Sequence, residues 1–163
     1  GCGGGKTVDR LCSIVANGKV YGIDYSELSV KFSEKLNSKN ILCNKAKILQ
    51  ASVSDMPFDD NKFDNITAVE TYYFWPDKEN DVKEVFRVLK QGGTVMLLFE
   101  MLRTDDDPFK WEKVENMLNI KSVTPQEIRA VLESAGFENI NTYTKEGTTW
   151  LCATAQKPKD DEN

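Results

Sequence analysis

The chain of 163 residues contains no histidine. That excludes Ser-His-Asp and Cys-His catalysis, histidine-ligated metal and a histidine base within this sequence, and leaves proton transfer to carboxylates, tyrosine or lysine. Cysteine is sparse: Cys2, Cys12, Cys43 and Cys152 are scattered without C-x-x-C spacing. Such thiols speak against a disulfide framework or a zinc site and for a reducing compartment, so the cytoplasm is the expected location and no metal is expected. No apolar run approaches the ~20 residues of a membrane span. Positive charge is also short, with 21 Lys and Arg against 26 Asp and Glu. Without a basic stripe to neutralise phosphates, a nucleic-acid partner is not expected, and a small molecule is the better default.

What is present begins with glycine. Gly1-Cys2-Gly3-Gly4-Gly5-Lys6 has the composition of a loop between a strand and a helix, where the backbone turns sharply and approaches a ligand closely. Asp24 follows at about the 20-residue distance a βαβ unit requires, placed to accept both hydroxyls of a ribose. The strand that precedes such a loop is absent, so the sequence reads as truncated at its N-terminus, lacking its first strand and upstream helices. The 40% hydrophobic content fits one soluble domain, residues 1–157, followed by a polar tail, residues 158–163.

Periodicity orders the rest. Val8, Leu11, Cys12, Ile14 and Val15 recur at helical spacing, and Asn17-Gly18 ends that helix. A strand is expected over Lys19–Ile23. Ser26 then caps a helix over about 27–38, with Leu28, Val30, Phe32 and Leu36 as its apolar positions. Further strands are expected at Lys47–Ala51 and Phe63–Val69, with the turn chemistry of Met56–Asn61 between them. A helix over about 78–90 is broken by Gln91-Gly92-Gly93. Thr94–Phe99 reads as a strand buried on both faces. Thr124-Pro125-Gln126-Glu127 starts a helix that stops at Ala135-Gly136. The β-prone runs Ile140–Thr144 and Thr148–Ala155 form an antiparallel hairpin. This alternation predicts an α/β fold: a doubly wound, Rossmann-like three-layer sandwich, its sheet mostly parallel with a C-terminal antiparallel hairpin. Ligands are expected beyond the carboxyl ends of the strands, where Gly1–Gly5, Asp24, Ser52–Met56 and Glu70–Trp75 fall.

The glycines do not follow the dinucleotide pattern G-x-G-x-x-G, because Lys6 stands where the third glycine belongs; this disfavours a nicotinamide enzyme. Four co-linear motifs point elsewhere: Gly1–Gly5, Tyr21-Gly22-Ile23-Asp24-Tyr25-Ser26, Asp55-Met56-Pro57-Phe58 with Phe63-Asp64, and Glu84–Gly93. Together they resemble class I S-adenosylmethionine-dependent methyltransferases, in particular the small-molecule branch that includes the ubiquinone/menaquinone methyltransferase-like enzymes. The resemblance runs through essentially the whole chain. It implies S-adenosylmethionine as cofactor and a small-molecule methyl acceptor. It further implies Gly1, Cys2, Gly3 and Gly5 as the loop under the methionine part, Asp24 on the ribose, Tyr25 against the adenine, and Ser26 as a further cofactor-binding residue. It implies Ser52-Val53 at the adenine edge, where the family often has an acidic residue followed by a small one; the departure implies a weaker contact or one made by a hydroxyl, with Asp55 as the candidate substitute. Glu70 faces the methyl group or the acceptor and is the candidate base. Tyr72 and Tyr73 supply hydrogen bonds or a cation–π surface near the sulfonium. The insert from Leu102 to Ile120 is the candidate lid.

Structural readings stand beside these. Asp24 also suits a helix cap, Glu70 an exposed strand-end acid, and Tyr72, Tyr73 and Trp75 core packing. A non-catalytic cofactor-sensing or partner-binding module on the same fold is the alternative function.

Overall fold

The computed structural model describes residues 1–159. It divides into two compact units, Gly1–Pro57 and a second that begins at Phe58. The first contains α1 (Lys6–Ile14), β1 (Val20–Asp24), α2 (Glu27–Leu36), α3 (Ser38–Leu42) and β2 (Ala46–Gln50). β1 and β2 pair in parallel from Val20 with Ala46 to Asp24 with Gln50. Val8, Val20, Ala46 and Ile48 form the core of this unit, with Leu11, Val30 and Ile41 packed against them.

The apolar face expected for α2 is not the buried one. Leu28, Phe32 and Leu36 are exposed, whereas Ser33 and, at the helix end, Asn37 are fully buried. Residues 28, 32 and 36 share one row of the helix; Val30, Ser33 and Asn37 share another, and that row meets α1 and β1. The helix also ends earlier than expected, and α3 continues from it after Asn37.

The second unit contains β3 (Phe63–Val69), a 3-10 turn (Tyr72–Phe74), α4 (Lys78–Val88), β4 (Leu89–Phe99), α5 (Glu112–Leu118), α6 (Pro125–Ser134), β5 (Glu138–Thr144) and β6 (Leu151–Gln156). Its strand order is β3-β4-β6-β5, with β3 and β4 parallel and β6 antiparallel to both neighbours. The expected single, mostly parallel sheet is therefore corrected for the described residues. Parallel and antiparallel pairings are equal in number, because the hairpin inserts β6 beside β4; β1 and β3 each pair with one strand only. The α/β class and the terminal hairpin are as expected.

Gly92 and Gly93 do not separate helix from strand. β4 already begins at Leu89 and runs through them, with a register irregularity opposite Phe63–Asn65. A Cβ on Gly93 would lie 2.8 Å from the Lys90 carbonyl oxygen and 3.0 Å from that of Asp64, so only glycine keeps the strands this close. Along Thr94–Phe99 burial alternates between full and partial, so one face is fully covered. The Thr124 capping box is present: the Glu127 N–H donates to Thr124 Oγ1, and the Thr124 N–H donates to Glu127 Oε2. Lys157, the last residue ahead of the expected tail, is buried. Its Nζ donates to Asn61 Oδ1 and to the carbonyls of Phe86 and Leu89, satisfying acceptors at the end of α4. Residues 160–163 of the expected tail lie outside the described residues. No helix among the described residues is long and apolar enough to cross a membrane.

Candidate active site

In the first unit the glycine loop is tied to the end of β1. The Cys2 N–H donates to the Ile23 carbonyl at 2.7 Å. The Gly3 N–H donates to Asp24 Oδ2 at 2.8 Å and the Ser26 N–H to Asp24 Oδ1 at 3.0 Å. Asp24 is 7% exposed, so its carboxylate clasps the loop to the start of α2. A carboxylate oxygen accepts more than one hydrogen bond, and each oxygen of Asp24 retains acceptor capacity for a ligand hydroxyl.

Gly5 is required for a reason different from ligand approach. It caps α1 with φ 85°, and a Cβ there would lie 2.5 Å from Ser33 Oγ and 2.8 Å from Ser33 Cα. Its carbonyl accepts from Asn37 Nδ2 at 3.0 Å, and the same amide group donates to the Ser33 carbonyl. Gly3 and Gly4 are the opposite case: a Cβ on either would meet nothing within 4 Å, so open space lies over this part of the loop.

The other expected cofactor residues cluster at the carboxyl ends of β1 and β2. The Tyr25 side chain is 75% exposed, and its carbonyl accepts from Gln50 Nε2. Ser26 Oγ caps α2 through the Ser29 N–H. The Ala51 N–H bonds to the Asp24 carbonyl, and Ser52 Oγ accepts the Ser54 N–H, leaving Val53 half-buried between two polar neighbours. A groove of about 760 Å³ lies between Cys2, Gly4 and Gly5 of the loop and the α2 residues Phe32, Lys35 and Leu36. Asp24, Tyr25 and Ser52 do not line it. Ser33 and Asn37 are the residues that sequence reasoning missed. Their signal was the small polar row Ser29, Ser33, Asn37, masked by the more conspicuous apolar row beside it.

In the second unit Glu70 stands immediately past β3, where its N–H donates to the Leu98 carbonyl of β4 at 3.0 Å. Its φ is 57°. Burial first, then the Glu100 carboxylate, pushes the Glu70 carboxyl up to about 7. Tyr72 and Tyr73 are 3% and 4% exposed and both pack edge-on against Phe99; Trp75 packs on Tyr72. The expected aromatic wall is thus core packing, with Phe74 alone of the run exposed. Tyr73 Oη accepts the Met101 N–H at 2.8 Å. Burial pushes both phenols up to about 12, so neither ionises near neutrality. The insert carries α5, and Trp111 Nε1 donates to the Leu102 carbonyl.

Comparison with known proteins identifies the family. The profile described as a methyltransferase domain matches residues 1–97. The chain belongs to this methyltransferase family. It is 28% identical over 160 residues to the uncharacterized methyltransferase YdaC of Bacillus subtilis, covering 97% of this chain and 81% of that protein. It is 31% identical to the ubiquinone/menaquinone biosynthesis C-methyltransferase UbiE of Cronobacter sakazakii, covering 80% of this chain but only 61% of that enzyme. Its fold matches a solved S-adenosylmethionine-dependent methyltransferase from Methanosarcina mazei with a TM-score of 0.72 at 22% identity, covering 98% of this chain and 91% of that one. The glycine loop, Asp24 and Glu70 all fall inside the matched methyltransferase segment.

Proposed function

We propose that the chain transfers a methyl group from S-adenosylmethionine to a small-molecule acceptor. The observation that carries this reading is the glycine loop with open space over Gly3 and Gly4, held to a buried Asp24 that keeps acceptor capacity. Those features fit a cofactor with a zwitterionic methionine end and a ribose. Gly1, Cys2, Gly3 and Gly5 hold the methionine end by their backbone, and Asp24 takes the ribose hydroxyls. Tyr25 and Ser26 lie beside the adenine, and Ser52-Val53 meets its edge. When bound, the cofactor supplies a methyl group on a sulfonium, whose transfer turns an acceptor X–H into X–CH3 and leaves a thioether and one proton. The protein's part is alignment and exclusion of water. Glu70 faces the acceptor and takes the proton, while Tyr72 and Tyr73, as un-ionised phenols, hold the chain around it. The relatives' names support a small acceptor, and the free thiols of Cys2, Cys12, Cys43 and Cys152 suit the cytoplasm.

Calorimetric titration tests the reading. S-adenosylmethionine and S-adenosylhomocysteine should bind saturably to the folded chain, and Asp24→Ala should weaken both by tenfold or more, about 1.4 kcal/mol. A folded sample that binds neither, or binds NAD more tightly, contradicts it.

A further inference from the structure

The end of β2 holds a side chain that the methyl-transfer reading leaves unused. Gln50 closes the strand as the register partner of Asp24, and residues 20, 22 and 24 of β1 share a face with residues 46, 48 and 50 of β2. The side chains of Asp24 and Gln50 therefore stand on one face of neighbouring strands, about 4.8 Å apart at the backbone. Earlier in the same two rows Val20, Ala46 and Ile48 are core residues, whereas Gln50 is exposed. Gln50 Nε2 donates to the Tyr25 carbonyl at 3.1 Å. A carbonyl only accepts, so this bond sets which end of the carboxamide is which and leaves Oε1 turned away from Tyr25. Among the described residues nothing donates to Gln50 Oε1. The hydroxyl of Ser52 already accepts the Ser54 N–H at 3.1 Å, and Asp55 lies beyond that turn, its N–H on the Ser52 carbonyl.

We propose that Gln50 Oε1 accepts the 6-amino group of the cofactor's adenine, so that Gln50 selects this base over one with an acceptor at position 6. The inference rests on the cofactor reading, in which Asp24 holds the ribose and Tyr25 lies beside the base. A base is one glycosidic bond from its ribose, and a long side chain next to Asp24 on the same face is within reach of it. The selectivity has a physical source. Adenine carries an amino donor at position 6, where hypoxanthine carries a carbonyl oxygen. Against hypoxanthine, Oε1 meets a second acceptor. Turning the carboxamide over to offer Nε2 breaks its bond to Tyr25 and sets two oxygens together there. Either arrangement leaves acceptors facing each other, a cost that adenine does not incur. Asp55, the substitute expected from the sequence, is not needed for this contact, since among the described residues no contact ties its carboxylate to either strand end.

The test is calorimetric and needs no turnover. S-adenosylhomocysteine and its deaminated analogue S-inosylhomocysteine, in which a carbonyl replaces the 6-amino group, are titrated into the full chain and into Gln50→Leu. The parent should prefer the adenine compound by about tenfold or more, and Gln50→Leu should bring the two affinities to within about twofold of each other. A merely structural role of Gln50 would weaken both compounds alike and leave their ratio unchanged. Asp55→Asn should keep the parent's ratio. A parent without preference, an unchanged ratio in Gln50→Leu, or a ratio lost in Asp55→Asn instead overturns the assignment and leaves the cofactor reading standing. A folded parent that binds neither compound sinks the cofactor reading, and the assignment of Gln50 falls with it.

Discussion

Glu70 shares the left-handed region with four other non-glycine residues among those described, and those four, Asn44, Asn61, Asn119 and Asn139, are all asparagine. Asparagine tolerates that conformation, whereas a longer side chain there costs about 1 kcal/mol. Glu70→Asn should therefore stabilise the fold by about 1 kcal/mol at pH 5, measured by chemical unfolding. A second effect is pH-dependent. The Glu70 carboxyl rises from an ordinary 4.5 to about 7, so between those values the folded chain holds a proton that the unfolded chain has lost, and stability falls as pH rises through this window. At pH 8 the gain from Glu70→Asn should be larger by on the order of 1–2 kcal/mol, discounted for the partial exposure of the group. An equal gain at both pH values would show that Glu70 ionises normally.

At the scale of elements, α2 serves as the brace of the glycine loop. Asn37 is fully buried and donates to both Gly5 and Ser33 carbonyls, so Asn37→Leu should cost about 1–3 kcal/mol by leaving buried acceptors unpaired. Gly5→Ala should open the loop, because the added methyl group meets Ser33 backbone at 2.8 Å and the φ of 85° disfavours it further. Both variants should weaken cofactor binding without touching Asp24, and a calorimetric affinity equal to the parent's would contradict the bracing role. Most element types were legible in the sequence, from Ser26 and Thr124 as caps to the hairpin. The buried face of α2 was not, since close helix approach demanded small polar side chains and pushed Leu28, Phe32 and Leu36 outward. The start of β4 was hidden too, because Gly92-Gly93 reads as a breaker until the carbonyls of Lys90 and Asp64 show why a strand needs glycine there.

Across the whole molecule, the family was legible from four short motifs, and the profile match over residues 1–97 agrees. What local pattern left open was the state of single side chains. Aromatic residues read equally as wall or as core, and only packing on Phe99 decides for Tyr72 and Tyr73. Lys157 opens a polar run yet is buried, because three acceptors at the end of α4 and at Asn61 wait for it. The chain spans 61% of the length of UbiE, so acceptor choice is a property to be measured on this protein itself. The most direct measurement is amide NMR mapping of S-adenosylhomocysteine binding. The account predicts that the largest shifts fall on Gly3, Tyr25, Ser26 and Val53. Shifts concentrated instead on Phe32, Lys35 and Leu36, the α2 side of the groove, would contradict it.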